Sequence, residues 1–399
     1  MAVHKLKDIC LKIGSGATPR GGKEAYCDEG ISLIRSQNVL DFTFLHDGLA
    51  HINEKQAEKL SNVEVKSQDI LLNITGDSVA RACAVDVRVL PARVNQHVAI
   101  IRPNEDEVLS SYILFYLQMM KPYLLQIAAG GATRNALTKG MIENLELEVP
   151  DILFQKKIVS ILDDIQEKIR ENKEINKNLL EQALAIYKDW FCDYALSDGI
   201  LPENWKITTI DAISSLVTRG IAPKYDDSSD QIVLNQKCIR DHTIDISLSR
   251  RHLPKKINEK WISKGDLLIN STGTGTLGRV AQVWFEANNM TVDSHVTIVR
   301  PKDPILQSYI GFWGLSHESE IEAQHTGSTG QTELPRDRVK AMELPLPDED
   351  TLSKFNELVI PMTSTVISNQ EENARLSQLR DALLPKLMSG ELDVSDIDL

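Results

Sequence analysis

Apolar and polar positions along this chain alternate with two different periods. Short apolar runs rich in β-branched and aliphatic residues, typical of buried strands, lie at residues 70–74, 98–102, 267–270 and 296–300. Residues 112–120 have the spacing of a helix instead. The alternation of such strands with modest helices predicts mixed α/β domains of about 150 residues each.

Two longer stretches carry an apolar stripe with steps of four and three, the pattern of a coiled-coil seam. The first stripe lies at positions 158, 162, 165, 169, 179, 183, 186 and 190, and the second begins at positions 355, 359, 362 and 366. We expect two long helices that face each other in antiparallel fashion; the alternative is that each helix only caps its own domain. Pro361 and Pro385 should start, kink or end the second helix locally.

Each stripe is interrupted by a pair of asparagines. Asn172 and Asn176 take two seam positions of the first stripe, and Asn369 and Asn373 take two seam positions of the second. Seam asparagines weaken a coiled coil but specify its register. The matched pairs therefore favour the interpretation in which the two helices pair with each other.

The whole pattern occurs twice. Residues 95–103 (NQHVAIIRP) return as residues 293–301 (DSHVTIVRP), and residues 69–76 return as residues 266–273. A period near 200 residues is far longer than the period of a solenoid and indicates two copies of one domain. We expect globular domains at residues 1–150 and 198–348, long helices at residues 151–197 and 349–390, and an acidic tail at residues 391–399.

Composition and charge narrow the class of protein. Apolar residues at 42% and charged residues at 25% are ordinary for a globular chain, and no apolar run is long enough to span a membrane. The five cysteines are scattered, without a Cys-x-x-Cys pair, which favours reduced thiols in a cytoplasmic protein. The net charge is −13, yet residues 1–150 carry only −2 and residues 199–347 only −1. If the chain binds DNA, a partner must supply much of the positive charge that phosphates require.

Two sequence motifs that could indicate an enzyme do not meet the structural requirements of the sites they suggest. Residues 273–278 satisfy G-x-G-x-x-G, but residues 279–285 after them predict a strand, where a dinucleotide site needs a helix. The neighbours Asp293, Ser294 and His295 cannot form a triad on one strand, because successive side chains point to opposite faces. We expect His97 and His295 to pack or hydrogen-bond inside the fold. The chain alone should be non-catalytic and should bind no metal or cofactor of its own.

The helical segments resemble those of a known family. Residues 156–172 (KKIVSILDDIQEKIREN), which lead to residues 187–191 (YKDWF), are similar to the central conserved helix of Type I restriction–modification specificity subunits. Residues 379–393 look like the distal conserved helix of that family. Residues 200–206 (ILPENWK) are similar to the entry into its second target-recognition domain. The resemblance covers essentially the whole chain.

That resemblance implies a fold and a function. The fold is mixed α/β (α+β), with two homologous target-recognition domains joined by two long antiparallel coiled-coil helices in pseudo-two-fold symmetry. Each domain would read one half of a bipartite site on double-stranded DNA. The helices would dock two modification (methyltransferase) subunits that use S-adenosylmethionine, and two restriction subunits that use ATP and Mg²⁺ would join for cleavage. A helix over residues 154–190 spans about 55 Å, enough to separate two major-groove readers by one turn, ~34 Å.

Polar residues in the loops around the repeated strands are the candidate base readers, because Arg and Lys can contact guanine, and Asn and Gln adenine. Each could instead contact a phosphate or solvent. Arg81 and Arg279 recur at equivalent places, which favours a shared phosphate-binding or structural role. The candidates are Arg20, Arg35, Gln37, Asn38, Arg81 and Arg134 in the first copy, and Arg219, Lys224, Asn235, Gln236, Lys237, Arg279 and Gln331 in the second.

Two other classes of function fit parts of the pattern. A stand-alone DNA-binding regulator should be more basic and would not need long helices with matched seams. A non-catalytic assembly scaffold would fit the acidity but would not need paired polar loops.

Overall fold

The chain forms two compact units. A computed structural model of the 399 residues describes residues 2–19, 21–130, 135–253, 257–327 and 332–395. Unit 1 comprises the chain up to Arg170 together with the segment from Asn373 onward, and unit 2 comprises Glu171–Glu372. Each unit contains one copy of the repeat and part of each of two long helices. These are Ile152–Phe191, the first long helix, and Glu349–Met388, the second long helix.

The strands of unit 1 form a central four-stranded sheet in the order β2-β9-β6-β7, a second sheet in the order β4-β3-β8-β5, and the pair β1-β10. Helices at Glu54–Lys59, Ser110–Met119, Lys121–Ala129 and Lys139–Glu143 cover the sheets. The strands are β1 (Ala2–Lys5), β2 (Cys10–Ser15), β3 (Ile31–Ile34), β4 (Ala50–Ile52), β5 (Glu64–Val65), β6 (Ile70–Asn73), β7 (Ala82–Ala84), β8 (Ala92–Val94), β9 (Val98–Pro103) and β10 (Glu146–Val149).

Unit 2 repeats this topology with β12-β20-β17-β18 as its central sheet, β16-β13-β19 as its second sheet and the pair β11-β21, and it adds the hairpin β14-β15. Its shorter helices are Ile210–Ile213, Gln307–Ser316, Glu318–Ala323 and Arg336–Lys340. The strands are β11 (Lys206–Thr209), β12 (Ser214–Arg219), β13 (Ile232–Leu234), β14 (Ile239–Arg240), β15 (Thr243–Ile244), β16 (Arg250–Arg251), β17 (Leu267–Asn270), β18 (Val280–Gln282), β19 (Met290–Val292), β20 (Val296–Pro301) and β21 (Glu343–Leu346).

The sequence predictions for these elements are confirmed. The four predicted strands appear as β6, β9, β17 and β20, and the predicted helix appears as Ser110–Met119. Residues after the Gly-rich segment 273–278 form strand β18 and not a helix, so no dinucleotide site begins there.

The central strands separate two apolar clusters within each unit. In β6, Ile70 and Leu72 face the cluster under the long helices, whereas Leu71 faces the cluster of the second sheet. Strand β17 divides its residues in the same way between two clusters of unit 2. Because successive side chains of a strand point to opposite faces, a strand buried on both sides reads as a continuous apolar run.

A buried ion pair joins the two central strands of each sheet. In unit 1, Nε and Nη2 of Arg102 donate to the two carboxylate oxygens of Asp69 at 2.7 and 2.8 Å. In unit 2, Nε and Nη2 of Arg300 donate to Asp266 at 2.8 and 2.7 Å. Burial raises the pKa of the Asp266 carboxyl, and the hydrogen bonds from Arg300 oppose that shift. Both pairs lie in the repeated blocks, so the copies share a bidentate polar anchor.

The chain leaves the first strand of each central sheet through a glycine that touches another strand. A Cβ on Gly16 would lie 1.7 Å from the carbonyl oxygen of Val94, and a Cβ on Gly220 would lie 1.9 Å from that of Val292. Only glycine permits backbones to approach so closely. The repeat therefore preserves this crossing in both units.

The long helices pack antiparallel within each unit. In unit 1, Nη1 of Arg380 donates to Oε1 of Gln166 at 2.9 Å, and Ile158 shares an apolar cluster with Met388. In unit 2, Phe191 packs edge-on against Phe355 with ring centroids 5.0 Å apart. Residue numbers rise along one helix as they fall along the other, as the stripes predict.

The seam asparagines lie where the helices of unit 2 meet. Asn172 is fully buried and donates through Nδ2 to Glu372 at 2.6 Å. Asn176 donates to the carbonyl of Val366 at 3.3 Å and accepts from Nδ2 of Asn369 at 2.8 Å. Asn373 is the first residue of unit 1 on the second long helix. The asparagines of unit 2 therefore form a polar segment between otherwise apolar contacts.

The prolines of the second long helix do not delimit it. Pro361 and Pro385 both lie inside Glu349–Met388, so the expectation that either would start or end the helix is wrong. Thr365 Oγ1 donates to the carbonyl of Pro361 at 2.9 Å, one turn earlier. Apolar packing of Val359 and Val366 on either side outweighs the loss of one backbone hydrogen bond.

Other expectations concern membranes and thiols. In the ranges that the structure describes, no helix has the length and apolarity needed to cross a bilayer. The five cysteines are free thiols, and burial raises the pKa of Cys10 and Cys83 to about 12. Such thiols stay protonated and are poor nucleophiles.

Candidate nucleic-acid interface

Four loop segments of unit 1 meet at the end of β6. Nδ2 of Asn73 donates to the carbonyls of Ser36 and Val39 at 2.9 and 3.1 Å, which ties the turn at residues 35–38 to the strand. Oγ1 of Thr75 lies 2.6 Å from Nδ1 of His97, and the amide of Leu137 donates to the carbonyl of Ile74 at 2.8 Å. Residues 35–38, 74–81, 95–97 and 135–137 thus form one surface, the first loop cluster.

Unit 2 builds the same surface at the end of β17. Nδ2 of Asn270 donates to the carbonyl of Gln236 at 3.0 Å, and Oγ1 of Thr272 lies 2.7 Å from Nδ1 of His295. The amide of Leu334 donates to the carbonyl of Ser271 at 2.8 Å. Residues 235–238, 271–279, 293–295 and 332–334 form the second loop cluster. The two clusters therefore share one hydrogen-bonded frame.

The repeated histidines belong to this frame. His97 is half-buried, with Nδ1 beside Thr75 and Nε2 2.8 Å from Nε2 of Gln96. His295 makes the equivalent contact with Thr272, but its ring is exposed. The expectation of internal hydrogen bonding is confirmed for both residues, while packing inside the fold applies only to His97.

The candidate base readers of the first copy differ in how exposed their side chains are. Gln37 is exposed, and its Nε2 donates to the carbonyl of Gly48 at 3.0 Å. Arg35 is half-buried and donates to the same carbonyl at 2.6 Å. Both lie in the first loop cluster, and both rest on the loop that carries Gly48.

One candidate needs correction. Asn38 is fully buried, its Nδ2 donates to the carbonyls of Leu45 and Asp47, and its Oδ1 accepts from the amide of Arg35. An amide with all these internal partners holds the turn in shape and cannot reach a base. Arg20, Arg134 and Gln331 lie outside the described residues.

In the second copy, three candidates are engaged in the frame. Oδ1 of Asn235 accepts from the amide of Lys237 at 2.9 Å and so caps the turn. Nδ2 of Asn235 donates to the carbonyl of Leu248 at 3.1 Å. Oε1 of Gln236 accepts from Thr272 at 3.3 Å. Arg219 forms an ion pair of 2.6 Å with Glu333 and donates to the carbonyl of Leu334 at 2.8 Å. Their polar groups shape the cluster.

Two lysines of the second copy are exposed. Lys237 follows Gln236 on the turn, inside the second loop cluster. Lys224 lies apart from the cluster, on the segment whose backbone pairs with Leu253. Only Lys237 is therefore placed as Gln37 is placed in unit 1.

Arg81 and Arg279 occupy equivalent positions. The backbone carbonyl of each accepts a hydrogen bond of 2.8 Å, from the amide of Asn73 and of Asn270 respectively. Both side chains are half-buried. The two positions share this backbone contact, and a structural or phosphate-binding role of the two side chains stays a prediction.

Residues that carry the frame were missed as site residues. They are the amides Asn73 and Asn270. The ion pairs Asp69–Arg102 and Asp266–Arg300, which lie at the other end of β6 and β17, were missed as well. All lie at identical positions of the repeated blocks, and that identity was the signal that could have found them. Within the ranges described, no group of three or more His, Cys, Asp or Glu side chains is arranged to hold a metal ion.

Comparison with known proteins finds one matching family model and several similar proteins. A family model described as the Type I restriction modification DNA specificity domain matches residues 1–181. The Type I restriction enzyme MjaIX specificity subunit of Methanocaldococcus jannaschii is 25% identical over 99% of this chain and 94% of its own length. The HindI specificity subunit of Haemophilus influenzae is 23% identical over 91% of this chain and 94% of its own.

The chain is similar to the specificity subunits of Type I restriction–modification systems. A crystal structure of the Type I S subunit from M. genitalium has the same fold, with a TM-score of 0.56 at 13% identity over 97% of this chain and 95% of that one. The chain described here therefore shares that fold. Its loop clusters lie on the repeated domains, where the sequence places the candidate readers.

Proposed function

We propose that this chain is the sequence-specific DNA-recognition subunit of a Type I modification and restriction complex, and that each loop cluster reads one half of a bipartite site. The two loop clusters share an equivalent hydrogen-bonded frame but carry different side chains on the turn at their surface, and we call these turn residues the tips. This difference is the observation that carries the proposal. Turn residues 35–37 (RSQ) stand where residues 235–237 (NQK) stand in the second copy. A reader of two different half-sites needs a constant frame and variable tips.

Gln37 and Lys237 are the tips that we assign to base contact. Both are exposed and follow the same anchored residue of the turn, whose carbonyl accepts from Asn73 or Asn270. A glutamine amide pairs with the N6 and N7 edge of adenine, and a lysine ammonium donates to O6 and N7 of guanine. We infer an adenine preference at the position read by Gln37 and a guanine preference at that read by Lys237.

The charge of the chain favours a partner that is basic, and the resemblance to Type I specificity subunits implies which partners these would be. Each repeated domain is nearly neutral, with −2 for residues 1–150 and −1 for residues 199–347. Neutralisation of phosphates by Lys and Arg supplies much of the affinity of proteins for DNA. We therefore propose that two methyltransferase subunits, which bind S-adenosylmethionine, add this charge, and that two restriction subunits, which use ATP and Mg²⁺, join them. A chain that reads chromosomal DNA acts in the cytoplasm.

The other classes of function are not favoured. The relatives named above are specificity subunits of restriction enzymes. A stand-alone regulator would not need two long helices with matched seams, and a scaffold without DNA contact would not need two equivalent frames with different tips. We expect the purified chain to transfer no methyl group to DNA without its partner.

Exchange of one domain tests the proposal. Residues 1–150 are replaced by the same region of a relative, and methylated sites are mapped by sequencing the methylome of cells that carry the complex. One half of the recognised sequence should change, while the half assigned to residues 199–347 persists. A change in both halves would show that the domains are not independent readers.

A reciprocal exchange of single residues tests the tips. Gln37→Lys should move one base of the first half towards guanine, and Lys237→Gln should move one base of the second half towards adenine, with about 1–3 kcal/mol of discrimination at each position. Lys55→Gln is the matched control, because Lys55 is exposed on the helix Glu54–Lys59 outside the loop clusters. Unchanged half-sites in both variants would remove Gln37 and Lys237 from the interface.

A further inference from the structure

The outer strand of the second sheet differs in charge between the two units. Strand β4 pairs Ala50 with Leu33, and strand β16 pairs Arg250 with Val233. Strands β3 and β13 are equivalent, because each lies between that outer strand and a parallel neighbour, β8 or β19. Arg250 therefore takes the position that Ala50 takes in unit 1, and unit 2 gains a positive charge there.

The strand that carries Arg250 touches the second loop cluster. Nδ2 of Asn235, a residue of that cluster, donates to the carbonyl of Leu248 at 3.1 Å. Unit 1 makes the equivalent contact at the carbonyl of Gly48. Arg250 follows Leu248 by two residues, which is ~7 Å along an extended chain. The guanidinium of Arg250 thus belongs to the surroundings of the cluster that we assign to DNA.

Arg250 is held in place without using its hydrogen-bond donors. Its Cζ lies 3.4 Å from the centre of the Tyr225 ring, and both side chains are exposed. Tyr225 is held in turn by a β-bridge to His252. Among the residues that the structure describes, none forms an ion pair or a side-chain hydrogen bond with Arg250. Stacking on the ring orders the guanidinium and leaves its N–H groups available.

The neighbouring arginine has a structural contact instead. Nη1 of Arg251 donates to the carbonyl of Ser229 at 2.6 Å. Because successive side chains of a strand point to opposite faces, Arg251 points away from the face that holds Arg250 and Tyr225. Two exposed arginines of one strand therefore differ in use: one supports a loop, and the other is ordered but unpaired.

An ordered and unpaired guanidinium selects a phosphate as its ligand. Its N–H donors lie in one plane, it has no acceptor, and its charge is permanent, so it can bind two oxygens of a phosphodiester at once. A carboxylate would fit the same fork. The phosphate is favoured here because Lys237, on the adjoining cluster, is assigned to a base, and every base that is read has phosphates beside it.

We propose that Arg250 binds a backbone phosphate of the DNA beside the half-site read by the second loop cluster, with Tyr225 as its positioning residue. This inference rests on the proposed function and adds an asymmetry to it, since Ala50 gives unit 1 no such contact. Phosphate contacts supply affinity and register without reading sequence. The second domain therefore holds its half-site through one more charge than the first domain does.

The salt dependence of binding tests the contact. The complex of the full chain with its methyltransferase subunits is titrated, by fluorescence anisotropy at several KCl concentrations, against a duplex that carries the recognised site. Arg250→Ala installs the residue of unit 1. It should weaken binding roughly threefold to tenfold at about 0.15 M salt and lower the slope of log K against log [salt] by about 0.9. Arg250→Lys keeps the charge and should keep that slope.

Arg251→Ala is the matched control, because it removes the same charge from the same strand on the opposite face. It should leave the slope within about 0.3 of the wild-type value. Equal losses in Arg250→Ala and Arg251→Ala would assign the effect to net charge and overturn the proposal. An unchanged slope in Arg250→Ala would overturn it as well.

A neutral phosphate locates the contact. Single methylphosphonates replace the phosphates beside each half-site in turn. The wild-type complex should lose affinity at one position beside the second half-site, and Arg250→Ala should be insensitive to that same replacement. Full sensitivity of Arg250→Ala at every position beside the second half-site contradicts the contact. The methylome separates this failure from failure of the proposed function: methylation of a bipartite site by the wild type leaves that function intact, whereas recognition of no site refutes both.

Discussion

The two units pack their long helices against the same kind of sheet with different types of side chain. Under the long helices of unit 1, the contacts are largely aliphatic, through Leu162, Leu384, Leu387 and Met388. In unit 2 the corresponding region is aromatic, with Tyr187, Phe191, Trp205 and Phe355 in mutual contact. The central sheets nevertheless have the same strand order.

The comparison separates what must be kept from what can vary. Apolar side chains of the two cores exchange freely in shape and size, since a core tolerates such changes when its total volume is conserved. Three polar residues of the frame and its sheet are kept in both copies: Asp69 and Asp266, Arg102 and Arg300, and Asn73 and Asn270 match in type and in their main contact. Polar groups need a partner at a defined place and therefore specify geometry.

The largest expected effect comes from breaking one buried ion pair. Asp69 is fully buried, so Asp69→Ala leaves Arg102 without its bidentate partner and should cost unit 1 about 3 kcal/mol. Asp266→Ala should do the same to unit 2. Hydrogen exchange measured separately for β6 and β17 reports each unit, and each variant should accelerate exchange only in its own strand.

The control for these variants is an exposed pair. Lys354 and Asp350 form an ion pair on the surface of the second long helix, and Asp350→Ala should leave hydrogen exchange in both strands unchanged, because solvent screens an exposed pair. Equal acceleration in both strands after Asp69→Ala would contradict the idea that each unit has its own anchor.

The second-largest expected change in stability comes from removing the side-chain amide of one asparagine in the frame. Asn73→Ala removes the donor that holds the carbonyls of Ser36 and Val39, which should cost unit 1 about 1–3 kcal/mol and release the turn that carries Gln37. Asn270→Ala tests the same contact in unit 2. We expect DNA affinity of the assembled complex to fall, measured by fluorescence anisotropy on a duplex that contains the recognised site. Unchanged affinity at a temperature where the variant is folded would separate the frame from recognition.

The hydrogen bond from the indole of Trp205 to Asp348 has a smaller effect on the stability of unit 2, and that effect depends on pH. The amide of Thr351 and the indole of Trp205 hold the pKa of Asp348 at about 2, below the usual value for aspartate. A depressed pKa contributes stability that is present above pH ~4 and is lost as the pH falls towards 2. Trp205→Phe removes one donor to a partly exposed carboxylate and should cost about 1 kcal/mol at pH 7.

Thermal unfolding of unit 2 at several pH values checks this. The Tm difference between the wild type and Trp205→Phe should shrink below pH 4, because both proteins then lose the ionised carboxylate. A difference that is constant from pH 2 to pH 7 would assign the effect of Trp205 to apolar packing alone.

The seam of unit 2 should give the smallest change in stability. Asn176→Leu combined with Asn369→Leu removes a mutually bonded pair, so we expect stabilisation below ~1 kcal/mol and a looser register. Asn172→Leu should destabilise instead, because Glu372 loses a buried donor. Spin labels at positions 177 and 364, both exposed, would report the register as a distance distribution. A distribution that stays as narrow as in the wild type would mean that the asparagines do not specify register.

Periodicity in the sequence was enough to predict the strands and the long helices. Strands β6, β9, β17 and β20 are apolar because both of their faces are covered, and that burial is visible in the residues themselves. The frame was harder to predict, since a hydrogen bond such as that of Asn73 to Ser36 joins residues 37 apart, and no local pattern encodes it. Asn38 looked like a reader because it is polar and in a turn, whereas its amide is used entirely inside the fold. Pro361 neither starts nor ends the helix because packing on both sides overrides a local preference, and a kink at this residue stays a prediction.

The order in which a ribosome makes the chain treats the two units differently. Unit 2 is one uninterrupted segment, Glu171–Glu372, whereas unit 1 draws on both ends of the polypeptide. The core of unit 1 includes Leu384, Leu387, Met388 and Val394, all of which are synthesised after unit 2. At ~5–20 residues per second, the segment that completes the first-made copy emerges only after every residue of the later-made copy is in place. Unit 1 therefore completes its core after unit 2 has been made, and a chain that stops before Leu384 lacks part of that core while unit 2 can still fold.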